Sequence, residues 1–142
     1  MLAGAATAQT RDVPYWVSIV PDKVHMRTGP GTSYPISWIY TRAGLPLKVL
    51  RVSGGWRLVE DPDGDRGWIM SRFLSRERVA IVIGQDLVEM RSGERGLGSL
   101  AWRLEPGVTG SLGDCEDGWC AFAVGKRKGF APQESLWGAG AP

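Results

Sequence analysis

The sequence predicts an all-β protein made of two small β-barrels in tandem. Three observations support this fold class: an internal repeat, short strand-like runs between glycine-rich turns, and no long helical stripe. The chain has 142 residues with 20 glycines and 7 tryptophans. Glycine permits tight turns, and tryptophan fills a small core efficiently. A hydrophobic content of 43% and a charged content of 23% are typical of a folded domain.

The repeat has a period near 64 residues and gives the strongest signal. Met26-Arg27-Thr28-Gly29 recurs as Met90-Arg91-Ser92-Gly93. Other anchors follow in the same order: Trp38 with Trp102, Ala43-Gly44 with Pro106-Gly107, Gly55-Trp56 with Gly118-Trp119, Gly67-Trp68 with Gly129-Phe130, and Leu74 with Leu136. Two single-residue gaps suffice to align them all, which indicates two copies of one module.

Each copy is predicted to contain five short strands. In the first copy the β-branched run Trp16–Val20 ends at Pro21, and a second apolar run covers residues 47–52. Turn residues dominate Ser53–Gly55 and Asp61–Asp65. One helical turn is expected at most, within Ser71–Arg78. Short strands of this kind favour a closed barrel, because closure removes the unpaired edges.

The repeat sets the expected domain boundaries. The first barrel is assigned to residues 13–76 and the second to residues 77–138, with a tail at residues 139–142. Ser75–Arg78 is the only polar joint. So short a joint favours two barrels that pack against each other.

Residues 1–12 are interpreted as the remnant of an export signal or as a disordered tail. Ala6-Thr7-Ala8 has the small-x-small form of a signal-peptidase site, but too few residues precede it for a complete signal. No run approaches the roughly 18 apolar residues of a transmembrane helix.

The order of the motifs resembles bacterial SH3 domain proteins, in particular the periplasmic tandem-SH3 family of alphaproteobacteria. The matching stretches are Val24–Gly31, Tyr34-Pro35, Gly44–Leu47, Trp56-Arg57 and Gly67-Trp68, followed by Leu104–Val108, Cys115–Cys120 and Leu136–Gly138. The likeness covers roughly residues 14–138. It implies SH3-like barrels and a binding role, because related modules contact cell-wall peptides or accompany wall hydrolases. It implies no catalytic residue.

Four residues after the glycine-proline loop are the predicted ligand contacts: Tyr34, Trp38, Tyr40 and Arg42. SH3-like folds place the aromatic side chains of their peptide groove in this region. The alternative is that Trp38 packs in the core or between the barrels. The second copy has Arg91–Gly96 where the first has Arg27–Gly31, so a groove lined by this loop should differ between copies. Tryptophans that follow glycine at strand starts are assigned to packing: Trp56, Trp68 and Trp119.

Cys115 and Cys120 align with Val52 and Arg57 of the first copy. This alignment places them on adjacent strands either side of a turn, within reach of a disulfide. A disulfide would fit an oxidising compartment. Two reduced core cysteines, or half of a metal site, are the alternatives.

Catalytic, metal-binding and nucleic-acid-binding chemistry find little support. His25 is the only histidine, and it lies in the copy without cysteines. Asp61, Asp63 and Asp65 fit a turn better than a calcium loop. Lys126–Lys128 is expected to be solvated, with contact to anionic wall polymers or lipid headgroups as the alternative. A net charge of +2 gives no basic face for nucleic acid.

The sequence therefore predicts a non-catalytic periplasmic protein without cofactor or metal. Its expected ligand is peptide-like, either a peptidoglycan peptide or a segment of an envelope protein. The alternative is a structural scaffold of the cell envelope without wall affinity. The oligomeric state is not specified by the sequence.

Overall fold

The computed structural model describes residues 12–142 and divides them into two compact units, with the boundary between Glu77 and Arg78. Most of the predicted export-signal remnant therefore lies outside the described residues. Asp12 belongs to the first unit, where its carboxylate pairs with Arg76 at 3.0 Å. Among the described residues, no helix has the length and apolar character to span a membrane.

Each unit is a seven-stranded sheet, two strands more than the sequence predicts. The first contains β1 (Tyr15–Ile19), β2 (Val24–Arg27), β3 (Ile36–Tyr40), β4 (Pro46–Ser53), β5 (Trp56–Glu60), β6 (Arg66–Met70) and β7 (Leu74–Ser75). The second contains β8 (Val79–Val82), β9 (Val88–Arg91), β10 (Leu100–Leu104), β11 (Thr109–Glu116), β12 (Trp119–Val124), β13 (Arg127–Pro132) and β14 (Leu136–Trp137). Short 3₁₀ turns occupy Ser71–Phe73, Glu94–Gly96 and Gln133–Ser135. The all-β, tandem fold class is confirmed.

The two sheets have the same topology. The strand order is β3-β2-β6-β5-β4-β1-β7 in the first and β10-β9-β13-β12-β11-β8-β14 in the second. Even the irregularities recur, since both hairpins β4–β5 and β11–β12 contain a register shift before their turn. Val52 pairs with Arg57 in the first hairpin, and Cys115 pairs with Cys120 in the second. Residues that are equivalent in the sequence repeat therefore occupy equivalent strand-pairing positions in the two sheets.

Alternation along the strands builds each core. In the first barrel the inward side chains are apolar, and Leu47, Val49, Val59 and Ile69 are fully buried. Burying a side chain of this size contributes about 1.5–3 kcal/mol. The second barrel has its own cluster, consisting of Ala80, Val82, Val88, Met90, Leu104, Cys120, Phe122, Ala131 and Leu136. Ala139 packs against that cluster, so the predicted tail begins within the second barrel.

Tyr40 is a core residue, not the exposed ligand contact that its position suggested. Only 5% of its surface is accessible, and its hydroxyl donates to Oδ2 of the buried Asp61 at 2.9 Å. Oδ1 of Asp61 accepts the amides of Asp63 and Asp65 at 2.9 and 3.0 Å. Asp61 thus caps the β5–β6 turn with one oxygen and ties it to the end of β3 with the other. Burial and then this hydrogen bond raise the pKa of Tyr40 above its usual range.

The cysteines form a disulfide between β11 and β12. Cys115 is exposed and Cys120 is fully buried, with their Cα atoms 3.9 Å apart. No free cysteine is present in residues 12–142. The disulfide prediction is confirmed, and it anchors an exposed hairpin to the core of the second barrel.

Replacing Tyr40 with phenylalanine should lower the free energy of unfolding by about 1–3 kcal/mol, because a buried Asp61 oxygen loses its donor. The raised pKa of Tyr40 adds a pH dependence. Above about pH 10 the unfolded tyrosine ionises while the folded one keeps its proton, so wild-type stability falls. The difference in the free energy of unfolding between the wild type and Tyr40→Phe should therefore become smaller above this pH. Denaturant titrations at pH 7, 9 and 11 measure both effects.

Tyr34→Phe is the matched control, because Tyr34 is 45% exposed. It should change stability by less than about 0.5 kcal/mol at any of these pH values. Equal effects of Tyr34→Phe and Tyr40→Phe would contradict the proposed role of the Tyr40–Asp61 bond.

Reduction of the disulfide should lower the stability of the chain by about 2 kcal/mol, the value expected for so short a closed loop. Denaturant titrations with and without reductant measure the difference. A Cys115→Ala, Cys120→Ala variant should be insensitive to reductant. Thiol titration of the denatured wild type, secreted into an oxidising compartment, should find two thiols only after reduction. Two thiols before reduction would show that the pair does not form.

Candidate functional site

An open groove of about 470 Å³ lies on the first barrel. It is bordered by β2, by the loop that follows β2, by the start of β5 and by the 3₁₀ turn after β6. The residues that line it are Lys23, Val24, His25, Arg27, Thr32, Trp56, Met70, Arg72 and Phe73. Four of these nine side chains are lysine, arginine or histidine, and two are aromatic.

The alternation of β2 places the basic side chains on the groove side. Val24 and Met26 are 2% exposed and belong to the core. Lys23 and His25 are exposed, and Arg27 is half-buried. Since successive residues of a strand point to opposite faces, Lys23, His25 and Arg27 share the outer face.

Trp56 and the 3₁₀ turn form the opposite wall. Trp56 is half-buried and opens β5 directly after a turn in which Gly54 has a φ of 56°. The amide of Ser71 donates to the carbonyl of Gly55 at 2.8 Å, which fixes the 3₁₀ turn beside that turn. The guanidinium of Arg72 lies 4.9 Å from the ring centre of Phe73. The wall therefore combines apolar rings with an exposed cation.

Arg27 holds the loop between β2 and β3 in place. Its Nη1 donates to the carbonyl oxygens of Thr32 and Tyr34 at 3.1 and 2.9 Å. The amide of Thr28 donates to the carbonyl of Pro35 at 3.0 Å and closes the base of the loop. The ring of Tyr34 rests on Gly29, where there is no room for a side chain. The loop thus folds on itself beside the groove and leaves Trp56 accessible from it.

The charge of the groove is one-sided. Its lining, within the described residues, contains no aspartate or glutamate. No cluster of three or more histidine, cysteine, aspartate or glutamate side chains able to hold a metal occurs in residues 12–142. The arrangement can bind an anionic ligand and stack an apolar or planar group beside it.

The second barrel differs at the equivalent place. Its loop contains the 3₁₀ turn Glu94–Gly96, and the amide of Gly93 donates to the carbonyl of Leu97 at 2.9 Å. Gly96, with a φ of 77°, lies directly against the indole of Trp119, so that any side chain there would collide with the ring. Trp119 is the counterpart of Trp56, and the loop packs against its indole. Both tryptophans are half-buried, so the two loops differ in how they contact this tryptophan.

None of the four predicted ligand contacts lines this groove. Tyr40 is in the core. Trp38 is 58% exposed on the edge strand β3, Tyr34 packs over its own loop, and Arg42 is exposed after β3. The structure therefore does not bring the four together in one cleft.

The residues that sequence reasoning missed are Trp56, Lys23, His25 and Arg72. Trp56 was assigned to packing because its repeat in the second copy suggested a shared framework role. A usable signal was present in Lys23, His25 and Arg27, which are basic at every second position while Val24 and Met26 between them are apolar.

The bacterial SH3 domain family model matches residues 20–76 and again residues 84–138. The chain belongs to the bacterial SH3 domain family. Each match covers one of the two seven-stranded units except for its first strand, so this protein is a tandem of bacterial SH3 domains. The groove beside Trp56 lies in the first domain, and its counterpart Trp119 lies in the second.

One relative of this tandem SH3 protein is YrvJ of Bacillus subtilis, whose name assigns it to the N-acetylmuramoyl-L-alanine amidases. The two are 24% identical over 132 residues, which cover 86% of this chain and 25% of YrvJ. The chain thus spans about a quarter of that relative's length. Among solved structures, NlpC2 from Trichomonas vaginalis matches with a TM-score of 0.40 and 10% identity, over 88% of this chain and 48% of the other. NlpC1 from the same organism matches with a TM-score of 0.39 and 11% identity, over 87% and 45%.

Proposed function

We propose that this tandem SH3 protein is a non-catalytic cell-envelope protein that binds peptidoglycan peptide through the groove of its first domain. The observation that supports the proposal most is the groove itself, which is lined by Lys23, His25, Arg27 and Arg72 together with Trp56 and by no carboxylate. Bacterial SH3 domains are cell-wall binding modules. The name of the relative YrvJ specifies an amidase of a peptidoglycan linkage.

The chemistry of the ligand matches that of the groove. Stem peptides of the cell wall carry free carboxylates next to small apolar side chains. A carboxylate bound between Lys23 and Arg72 gains charge-assisted hydrogen bonds, which are about twice as strong as neutral ones. The ring of Trp56 offers an apolar wall to the neighbouring side chain. Arg27 acts mainly through the loop, because its Nη1 is already engaged by two carbonyl oxygens.

The protein binds one peptide per chain at this kind of site. In the second domain Gly96 packs directly against the ring of Trp119, and a glycine has no such position beside Trp56. Glu89 and Leu87 stand at the positions of His25 and Lys23, so the basic alternation is also lost there. The second domain therefore serves another purpose.

A periplasmic location is part of the proposal. The disulfide between Cys115 and Cys120 supports an extracytoplasmic compartment, because cytosolic thiols are kept reduced.

Reversing the charge of Lys23 or Arg72 tests the groove. Lys23→Glu and Arg72→Glu should each weaken binding to purified sacculi, and to a soluble stem peptide, by roughly tenfold or more, which corresponds to about 1.4 kcal/mol. Both side chains are exposed, so the fold should be retained. Co-sedimentation with sacculi and calorimetric titration with the peptide measure the effect.

Arg51→Glu is the matched control, because Arg51 is an exposed arginine of the same domain outside the groove. It should bind like the wild type. If binding instead follows Trp38→Ala and ignores Lys23→Glu, the ligand uses the edge strand β3 and the proposed groove is wrong. Absence of any binding to sacculi by the folded wild type would remove the wall-binding function and favour a scaffold role.

A further inference from the structure

We infer that the outer face of the second domain carries a separate binding site, for an extended peptide that has an acidic and an aliphatic side chain two residues apart. An open groove of about 410 Å³ lies there, across β11, β12 and β13. Its lining includes Ser111, Gly113, Ala121, Ala123, Lys128 and Phe130. This site does not depend on the proposed function of the first domain.

The same face of the first domain shows what is missing. Across β4, β5 and β6, the residues Lys48, Glu60 and Arg66 form a row of paired positions. Glu60 lies in the middle of the row, 4.0 Å from Nζ of Lys48 and 3.3 Å from Nε of Arg66. The central carboxylate therefore balances two cations, one on each neighbouring strand.

In the second domain the equivalent row is Ser111, Ala123 and Lys128, in the same register. Ser111 stands at the position of Lys48, and Ala123 stands at the position of the central Glu60. Lys128 keeps its positive charge and forms no ion pair among the described residues. It thus stands at the rim of the groove without the carboxylate that its counterpart Arg66 has.

The neighbouring pair of positions also carries smaller side chains in the second domain than in the first. Leu58 and Trp68 are paired in the first domain, and Ala121 and Phe130 are paired in the second. Gly113 lies against Ala121, where a side chain on the glycine would approach the alanine methyl to 2.9 Å. The floor is therefore made of small residues, and one wall is the ring of Phe130.

This groove occupies the place that the side chains of Leu58 and Glu60 fill in the first domain. These two side chains lie two positions apart on one face of β5, and both are absent from β12. A ligand that supplies them from outside restores both interactions: its carboxylate pairs with Lys128, and its aliphatic side chain fills the space over Ala121 beside Phe130. An extended segment of a partner protein places side chains at this spacing, because alternate residues of a strand share a face.

The exposure of the site fits an incoming chain. Ser111, Gly113 and Lys128 are all exposed. Lys126 lies in the same hairpin turn and adds positive charge nearby. Arg127 is engaged elsewhere, with its guanidinium 4.8 Å from the ring centre of Trp102.

The test titrates the full chain with the blocked peptide acetyl-Gly-Leu-Thr-Glu-Gly-amide and follows amide shifts by NMR. Shifts should concentrate at Gly113, Ala121, Lys128 and Phe130 and should saturate. The peptide with glutamine in place of glutamate should bind at least about tenfold more weakly, as should the Lys128→Met variant toward the original peptide.

The double variant Ala121→Leu, Ala123→Glu tests the groove without relying on a variant that could fail to fold. It introduces the residues that the first domain carries at these positions, so it should fold, fill the groove and bind no peptide. Lys23→Glu should leave this binding unchanged, which separates the site from the groove of the first domain. Equal binding of the glutamate and glutamine peptides, binding that survives the filled groove, or no saturable binding by the wild type would each overturn the inference.

Discussion

The loop after the second strand of each domain sets the surroundings of the equivalent tryptophans Trp56 and Trp119. In the first domain Arg27 donates to two carbonyl oxygens of the loop and Tyr34 packs on Gly29, so the loop stays beside Trp56. In the second domain Gly96 packs against the indole of Trp119. The strands beneath the two loops are paired in the same order. The same backbone topology therefore carries two different loops beside equivalent tryptophans.

The fold class was predictable because the signals for it are local and occur twice. Glycine-tryptophan pairs, glycine-rich turns and the repeated Met-Arg-x-Gly motif mark the strand ends in both copies. The disulfide was predictable for the same reason, since aligning Cys115 and Cys120 with Val52 and Arg57 places them on paired positions of a hairpin. Strand β3 was missed because four of its five residues are exposed, so it has no inward-outward alternation of burial.

The candidate site was less predictable because exposure depends on contacts that are distant in sequence. Tyr40 looked like a surface aromatic residue near Trp38, but its hydroxyl bonds to Asp61, 21 residues later, and its ring is in the core. Trp56 looked like a packing residue because Trp119 repeats it, and only the structure shows that Trp56 lines a groove. Similar residues at equivalent positions thus have different surroundings when a neighbouring loop differs.

The two domains also differ on their outer faces, where side chains fill the first domain and leave a groove in the second. Such divergence is compatible with the shared core, because the inward residues that stabilise each barrel are on the opposite face of the same strands. The tandem can therefore keep one stable framework and present two unlike surfaces. We propose that the first domain contacts an anionic wall peptide and that the second contacts a protein segment.

The most direct measurement is an NMR map of the amides that shift when a soluble peptidoglycan stem peptide is added to the isotopically labelled chain. Shifts are expected at residues 23–32, at Trp56 and at residues 70–73, with the amides of the second domain around Gly96 and Trp119 unchanged. Shifts around Trp119 equal to those around Trp56, or shifts confined to β3 and β10, would contradict the claim that loop position selects the first domain as the wall-binding one.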